Sequence, residues 1–549
     1  MRNQAAAVLL AAALLALRSP VVVAQQPLSH ERVQQDVRLF VSTLEETHPD
    51  PYTAFGGKVE FKRRVRELLT NIPADGLDAA GIHELLAAFL ADLGDGHTQL
   101  SSPAVSEQSA LPKFLPLRFA VATDAVFVSQ AAMGLDGLVG HRLLAAEGLQ
   151  LEELSALAGK ILPAENAYGR ARIVARAIRS TRHSVRLFGR QLDGVRLLLQ
   201  SPEGSEASWR VGYMEQSVLS EVEWSGDSRI ELEVGDSPIW WSYLHPERVG
   251  YLRLESIEGA EAFWEARDRK DLPGYVTRYY RRYFGREAPT DLDSALAGIP
   301  CFTKTVTDVL GAMRTDAGEY LIVDVRGNGG GWSTLMRPLY LLAFGAEYLD
   351  YPFPDLWVDV ASPQLMEMNG WTRQDLGSEW GPGYEVGDYR FEVAGRPRGD
   401  RSLAEYVEGL RVYRCGLAEA VESLAGEPIH RPTVIVLMDS GTLSAAYHLA
   451  YRLWRLGAVL VGVASAQAGN AYTNVVRVEL PNSGLVGTVA RSAQIFFPSD
   501  EALGRVLEPD FPITWSDLAR YDFDQNSELL YALELIASGQ IPRRAARVP

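Results

Sequence analysis

Residues 432–453, PTVIVLMDSGTLSAAYHLAYRL, contain the pattern that decides the fold. A short apolar run leads through a turn of small residues into an amphipathic segment, which predicts a buried strand followed by a helix beginning near Ser444. The Ser444 hydroxyl then lies where ligands bind in open α/β sheets, at the carboxyl end of a strand. A simple N-cap role for Ser444 or Thr442 fits the same pattern, so both interpretations stay open.

A second segment with chemical potential is YLIVDVRGNGGGW, residues 320–332. Three consecutive glycines after a buried strand let the backbone approach a ligand and point N–H groups into a cavity. An oxyanion hole, a phosphate cradle and a flexible turn are the alternatives. The phosphate cradle is disfavoured because neither GxxxxGK[ST] nor the GxGxxG spacing is present. Asp324 and Arg326, charged residues at the end of a buried strand, argue against a mere turn.

The neighbouring segments repeat the alternation of strand and helix. Apolar runs at 249–257 and 458–465 are strand-like, and 305–317 has helical periodicity. This alternation predicts an α/β core, a mixed sheet flanked by helices, formed by residues 246–343 and 432–525. The intervening residues 344–431 are rich in Trp, Pro, Gly and acidic residues and are interpreted as an insertion or lid. A C-terminal helix and tail, residues 526–549, complete the chain.

The first part of the chain has a different pattern. Residues 25–110 have helical periodicity and form a predicted N-terminal helical domain that ends in the turn Gly94-Asp95-Gly96-His97-Thr98. Residues 111–245 predict a small mixed α+β middle domain, a candidate peptide-binding module. A serine nucleophile needs a base, most often histidine. His97 is the candidate because a turn projects its side chain, and His448, one helical turn after Ser444, is the competitor.

Composition restricts the function classes. Residues 1–24 carry Arg2, an apolar run and a small-residue end, which predicts a signal peptide and export to the periplasm or the extracellular space. No later stretch is long and apolar enough for an integral membrane span. The formal net charge of −17 excludes nucleic acid as the expected partner. Cys301 and Cys415 either form one disulfide or remain unpaired, and no metal-binding spacing is present.

The motifs converge on a known family. DVRGNGGG at 324–331, TLSAA at 442–446, the strand VLVGVAS and the segment LEPD resemble the tail-specific (C-terminal-processing) protease and tricorn-core superfamily of serine peptidases. LGDGHT at 93–98 resembles its bacterial members. The tail-specific branch uses a lysine base, but no lysine follows Ser444, which excludes a Ser/Lys dyad. The chain therefore resembles the His/Ser/Glu branch, that of the tricorn core and the chlamydial protease-like activity factor (CPAF).

The resemblance implies a ClpP/crotonase-like core and assigns roles to individual residues. Ser444 matches the nucleophile, His97 the base, and Gly330 and Ala445 the oxyanion hole. The orienting glutamate is Glu501, by its spacing to the serine, or alternatively Glu508. The implied activity is peptide-bond hydrolysis through an acyl-enzyme, without metal or organic cofactor.

Two other functions remain as alternatives to an endopeptidase with a polypeptide substrate. A catalytically inactive binding or carrier protein is the first, because the superfamily fold also occurs in carriers of apolar ligands. An esterase or lipase is the second, although GTLSAA departs from GxSxG at both glycines. The oligomeric state stays open, a dimer included.

Overall fold

The computed structural model describes residues 27–101, 112–132, 134–226, 228–235, 237–393 and 401–542. The predicted signal peptide, residues 1–24, lies outside these ranges. The described chain is a mixed α/β fold with several sheets, as the sequence predicts. Within it, no helix is both long enough and apolar enough to cross a bilayer.

The central sheet has six strands and carries the candidate nucleophile. Its spatial order is Phe511–Pro512, Val459–Gly462, Thr433–Met438, Tyr320–Asp324, Val249–Leu254 and Ile239–Leu244. The first five strands are parallel, and the edge strand Ile239–Leu244 is antiparallel to its neighbour. Helices cover both faces, with Ala445–Arg455 on one side and Ser527–Ala537 on the other. Burial on both faces explains the continuous apolar runs of these strands.

A second sheet is antiparallel and joins distant parts of the chain. Its long strands Asn470–Glu479 and Val486–Ile495 pair with each other along their length. The free edge of Val486–Ile495 pairs with Gln99–Leu100 and with Leu356–Val360, and the latter pairs with Tyr389–Val393. Two segments of residues 344–431, the predicted insertion or lid, therefore take part in this sheet.

The middle region contains a third, antiparallel sheet covered by helices. Its strands are Leu117–Val121, Val126–Ala131, Arg142–Ala146, Leu149–Gln150, Gly194–Gln200 and Glu206–Gly212. Three helices pack against it through a shared apolar core: Leu151–Ile161, Ala167–Arg179 and Thr181–Phe188. This sheet has its own apolar core. Residues that follow Ile161 on its helical side line a cavity together with Leu443 and Ser444, at the carboxyl end of the central sheet.

The remaining helices surround these sheets. The N-terminal ones are His30–Thr47, Lys58–Thr70 and Ala79–Leu93. The others are Gln216–Glu221, Ala260–Glu265, Leu272–Phe284, Leu292–Ala297, Phe302–Thr315, Arg337–Phe344, Ala346–Asp350, Pro363–Asn369, Arg373–Trp380, Leu403–Leu410, Leu417–Ser423, Glu501–Arg505 and Trp515–Ala519. Short 3₁₀ helices span Thr53–Phe55, Asp136–Leu138, Ser333–Met336 and Arg411–Tyr413.

Cys301 and Cys415 form a disulfide, which decides between the two alternatives left by the sequence. The bond joins the start of the helix Phe302–Thr315 to the end of the 3₁₀ turn Arg411–Tyr413, across 114 residues of chain. It thereby ties residues 344–431 to the central core. A crosslink over so long a loop removes conformational freedom from the unfolded chain.

Replacing both cysteines by serine, Cys301→Ser with Cys415→Ser, is expected to lower the free energy of unfolding by about 2–5 kcal/mol. Urea denaturation with and without dithiothreitol measures the effect. The reductant should move the midpoint of the native chain to that of the variant and leave the variant unchanged. Equal midpoints for all four samples would show that the crosslink does not constrain the unfolded chain.

Candidate active site

Ser444 lies in a strained turn between the strand Thr433–Met438 and the helix Ala445–Arg455. It occupies the N-cap position with φ +51° and ψ −124°, and its side chain makes no capping hydrogen bond. A non-glycine residue in this region of backbone space costs free energy, and such residues concentrate at functional sites. Ser444 therefore occupies the N-cap position of the helix, but its hydroxyl does not cap the helix. This argues against the simple N-cap interpretation of the sequence.

The glycine-rich loop is fixed against this turn by Asn328, which is fully buried. The Asn328 side-chain amide donates to Leu254 O at 2.9 Å, and its main-chain carbonyl accepts from the N–H of Leu443 at 2.9 Å. The Thr442 hydroxyl adds a bond to Val325 O at 3.0 Å. Loop and turn are thus one hydrogen-bonded unit.

Two main-chain N–H groups beside Ser444 are available to bind an anion. The N–H of Ala445 is the first of its helix and has no acceptor in the described part of the chain, and the same is true of Gly329, which lines the cavity. The N–H of Gly330 is different, because it donates to Asn328 Oδ1 at 2.9 Å. Among the described residues, Ala445 and Gly329 therefore offer N–H groups without an acceptor, whereas the N–H of Gly330, the predicted donor, is already occupied.

His97 reaches this site through the second sheet. Its main-chain carbonyl accepts a hydrogen bond from the Thr488 hydroxyl at 2.8 Å, and the next residue, Thr98, accepts one from the N–H of Ala490 at 3.0 Å. His97 and Ser444 line one cavity of about 590 Å³. Among the described residues no hydrogen bond joins the two side chains, and the His97 Nδ1 atom is buried without a partner.

A buried carboxylate lies under His97. The N–H of His97 donates to Asp95 Oδ1 at 2.8 Å, and His48 Nε2 lies 3.3 Å from Asp95 Oδ2. His48 Nδ1 accepts from the N–H of Asp50, so a neutral His48 carries its proton on Nε2, facing the carboxylate. Burial alone would raise the pKa of Asp95, but His48 and His97 outweigh burial and lower this pKa. Asp95 is therefore ionised at neutral pH.

The pKa of His97 is lowered from its ordinary value of 6.5 because the ring is buried, although the charge of Asp95 acts in the opposite direction. The imidazole is consequently neutral at pH 7. A neutral ring can accept a proton, and the nearby Asp95 charge stabilises the imidazolium that forms.

Glu165 is a second carboxylate beside His97, and no sequence motif pointed to it. One oxygen of Glu165, one oxygen of Asp95 and one ring nitrogen of His97 lie within 4.8 Å of one another. Glu165 accepts from the N–H groups of Ala468 at 2.7 Å and Gly96 at 3.2 Å. Burial raises the pKa of Glu165 to about 8, and Asp95 adds to the rise. These three groups are also spaced closely enough to hold a metal ion.

The structure does not bring the predicted glutamates to the imidazole. The Glu501 side chain is 81% exposed and pairs with Arg505. Glu508 accepts hydrogen bonds from the Tyr168 hydroxyl at 3.0 and 3.1 Å. Neither hydrogen-bonds to His97 in the part of the chain that the structure describes. Glu501 does line a second cavity together with Asp95 and Glu165, but most of its carboxylate side chain faces solvent.

His448 is a poor base by comparison. Burial lowers its pKa to about 3, and its ring lies among Trp357 and Phe496 with Nδ1 3.3 Å from the Ser333 hydroxyl. In the part of the chain that the structure describes, no hydrogen bond joins His448 to the Ser444 hydroxyl.

Gln467 is another site residue that sequence reasoning missed. Its Oε1 accepts the N–H of Ser444, and its Nε2 is buried without a partner among the described residues. It lies in the segment GVASAQAGNAY, residues 462–472, which also contains Asn470. Asn470 itself exchanges two 3.0 Å hydrogen bonds with the main chain of Phe497.

No protein-family model and no curated protein matches the sequence. Among solved structures, mature CPAF aligns with 94% of this chain and 99% of its own, with a TM-score of 0.54 and 17% identity. The chain has the fold of mature CPAF. The CPAF complex with lactacystin aligns with 92% of this chain and 99% of its own, at a TM-score of 0.52 and 18% identity. The fold thus confirms the resemblance to CPAF that the sequence motifs indicated.

The two neighbouring glycines provide a matched test of this geometry. A Cβ atom at Gly330 would lie 2.7 Å from Ser444 Cβ and 2.9 Å from Leu443 O, at a φ of +105°, whereas one at Gly329 would meet nothing within 4 Å. Gly330→Ala should therefore displace the serine and reduce the rate of its phosphonylation by a fluorophosphonate, with loss of fluoride, at least about 100-fold. Gly329→Ala, which keeps its N–H, should retain most of the rate. Equal rates for the two variants would contradict the described packing.

Proposed function

We propose that this protein is an exported serine endopeptidase that hydrolyses peptide bonds through an acyl-enzyme, with Ser444 as nucleophile and His97 as base. The arrangement of the site is the observation that supports it most. The Ser444 hydroxyl lies in a strained turn and makes no capping hydrogen bond, and it shares a cavity with the buried, neutral imidazole of His97 and two free N–H groups. This is the set of groups that acyl transfer requires. The similarity to CPAF in fold is consistent with it.

The chemistry follows from these groups. His97 accepts the proton of Ser444 as the oxygen attacks the carbonyl carbon of a peptide bond. The N–H groups of Ala445 and Gly329 stabilise the oxyanion, which develops at the helix N-terminus. The imidazolium then gives its proton to the leaving amine, and water, activated by the same ring, releases the acyl group. Asp95 stabilises the imidazolium by its charge, and no Ser/Lys dyad takes part.

The core that carries this chemistry is proposed to be ClpP/crotonase-like, and Glu165 takes the place beside the base that the resemblance gave to Glu501 or Glu508. The alternative of a carrier for apolar ligands is less well supported, because arginines and histidines line much of the cavity. Export is proposed from the signal peptide at residues 1–24, and the disulfide is consistent with an oxidising compartment.

A fluorophosphonate probe is expected to label the native protein at Ser444. Ser444→Ala should abolish labelling, and His97→Ala should slow it about 1,000-fold or more, because such groups act as a unit. Ser333→Ala is the matched control, since the Ser333 hydroxyl lies 3.3 Å from Nδ1 of a different buried histidine, His448. Peptide mapping identifies the labelled residue. Labelling at Ser333, or no labelling at all, would contradict the proposed role of Ser444 as nucleophile.

The pH dependence of the labelling rate should show two ionisations. Since burial lowers the pKa of His97, the acid limb should have its midpoint below pH 6.5. Glu165 is protonated below about pH 8 and ionised above it, so its negative charge should raise the rate further as the pH rises through 8.

Glu165→Gln should remove the second ionisation and keep the first. Glu501→Gln is the control with the same chemical change at an exposed, paired glutamate, and its profile should match that of the native protein. If Glu501→Gln altered the profile and Glu165→Gln did not, the orienting role would return to Glu501.

A further inference from the structure

Four arginines line the same cavity as Ser444 and His97. They lie on two consecutive helices that pack against the middle sheet, Ala167–Arg179 and Thr181–Phe188. The first helix carries Arg172 and Arg176, and the second carries Arg182 and Arg186. Within each pair the residues are four positions apart, which places them on one face of the helix. Both helices therefore present cationic side chains to the site where the bond is broken.

These arginines have no carboxylate partner within ion-pair distance in the described part of the chain. The protein has 70 Asp and Glu against 53 Lys and Arg, so acidic groups are in excess elsewhere. In the same middle domain, Arg190 is paired with Glu147 and Arg210 with Asp193. A cluster of unpaired arginines in an acidic protein repels itself and is costly unless an anion binds there.

The other titratable groups around the cluster do not neutralise it. Asp439 attracts Arg172 and Glu84 attracts Arg186, both from beyond ion-pair distance. Glu165 borders the same cavity, but its carboxyl group accepts hydrogen bonds from the N–H groups of Gly96 and Ala468 and forms no ion pair with an arginine among the described residues.

Two histidines complete the wall and add no negative charge. Burial and the surrounding arginines lower the pKa of His183 to about 4, and burial lowers that of His83. Both rings are neutral at pH 7. The wall opposite the nucleophile is consequently a positive surface inside a cavity of about 590 Å³, which is large enough for several side chains of a peptide.

We infer that this arginine cluster binds carboxylate groups of the polypeptide substrate and so directs cleavage to acidic segments. The inference rests on the proposed peptidase function and adds the class of substrate. Guanidinium groups bind carboxylates through paired, charge-assisted hydrogen bonds, which lysine cannot reproduce in the same geometry. Carboxylates reach the cavity from Asp and Glu side chains or from the end of a chain, and both sources present the same chemistry.

Three peptides of otherwise identical sequence distinguish these sources. The first has Asp and Glu around a central site and an amidated C-terminus, the second has Asn and Gln at those positions with the amide, and the third is the second with a free C-terminal carboxylate. Binding is measured by fluorescence anisotropy to the Ser444→Ala protein, at low and at high salt. We expect the first peptide to bind about tenfold or more tightly than the second at low salt, and the difference to shrink with salt.

Arg176→Gln with Arg182→Gln tests the cluster, because these two side chains are exposed and their replacement leaves the apolar core intact. This double variant should abolish the preference for the first peptide and leave binding of the second unchanged. Arg190→Gln with Arg210→Gln makes the same change of charge in the same domain, outside the cavity, and should retain the preference. A preference that survives the first double variant, or one that both double variants lose equally, overturns the inference.

The outcomes separate the inference from the proposed function. Tighter binding of the third peptide than of the second, lost in the Arg176 and Arg182 variant, would assign the cluster to terminal carboxylates. Hydrolysis of the second peptide by the native protein, with no preference for the first or third, would leave the peptidase standing without the cluster's role. Selective binding of carboxylate peptides with no labelling of Ser444 would support the role of the arginine cluster and contradict the proposed peptidase function.

Discussion

The alignment of two neighbouring parallel strands is the constraint on which the site depends. Tyr320–Asp324 and Thr433–Met438 pair in register, so that Asp324 lies beside Leu437 and both strands end at the same edge. The segments that follow are therefore forced together, and hydrogen bonds from Thr442 and Leu443 fix them. Parallel strands must end at one edge of the sheet, which is why the glycine loop and the serine turn meet without being close in sequence.

The candidate base is held by a different kind of contact. His97 lies in a loop between the helix Ala79–Leu93 and the short strand Gln99–Leu100, and that strand pairs with a strand about 390 residues later. The threonines at 98 and 488 supply the hydrogen bonds that close this distance. Closing so long a loop costs entropy, and the buried apolar contacts between the N-terminal helices and the second sheet offset that cost. The base is thus positioned by tertiary packing around it.

Charge is distributed unevenly in this molecule. The chain as a whole is strongly acidic, yet the cavity has arginines on one wall, a protonated Glu165 and neutral histidines. Among the described residues, the buried Asp95 contributes a negative charge close to His97. Glu165 and the four arginines come from one continuous segment, residues 165–186, whose helices pack against the middle sheet. The middle region therefore adds polar groups to a site whose proposed nucleophile and oxyanion donors lie at the end of the central sheet.

Local sequence determined the elements and the chemistry that depend on neighbouring residues. The run 432–453 specified a strand, a small-residue turn and a helix, and so placed Ser444 at a helix N-terminus, whereas the donor role of Ala445 was implied by the resemblance. The local sequence could not decide whether Gly329 or Gly330 offers the second free N–H group, because this depends on which of the two N–H groups donates to the buried Asn328 side chain. Glu165, Gln467 and the true position of Glu501 were likewise decided by tertiary structure alone. A carboxylate's neighbours across 70 or 400 residues leave no periodicity in the sequence, whereas a strand or a helix is specified by the residues within it.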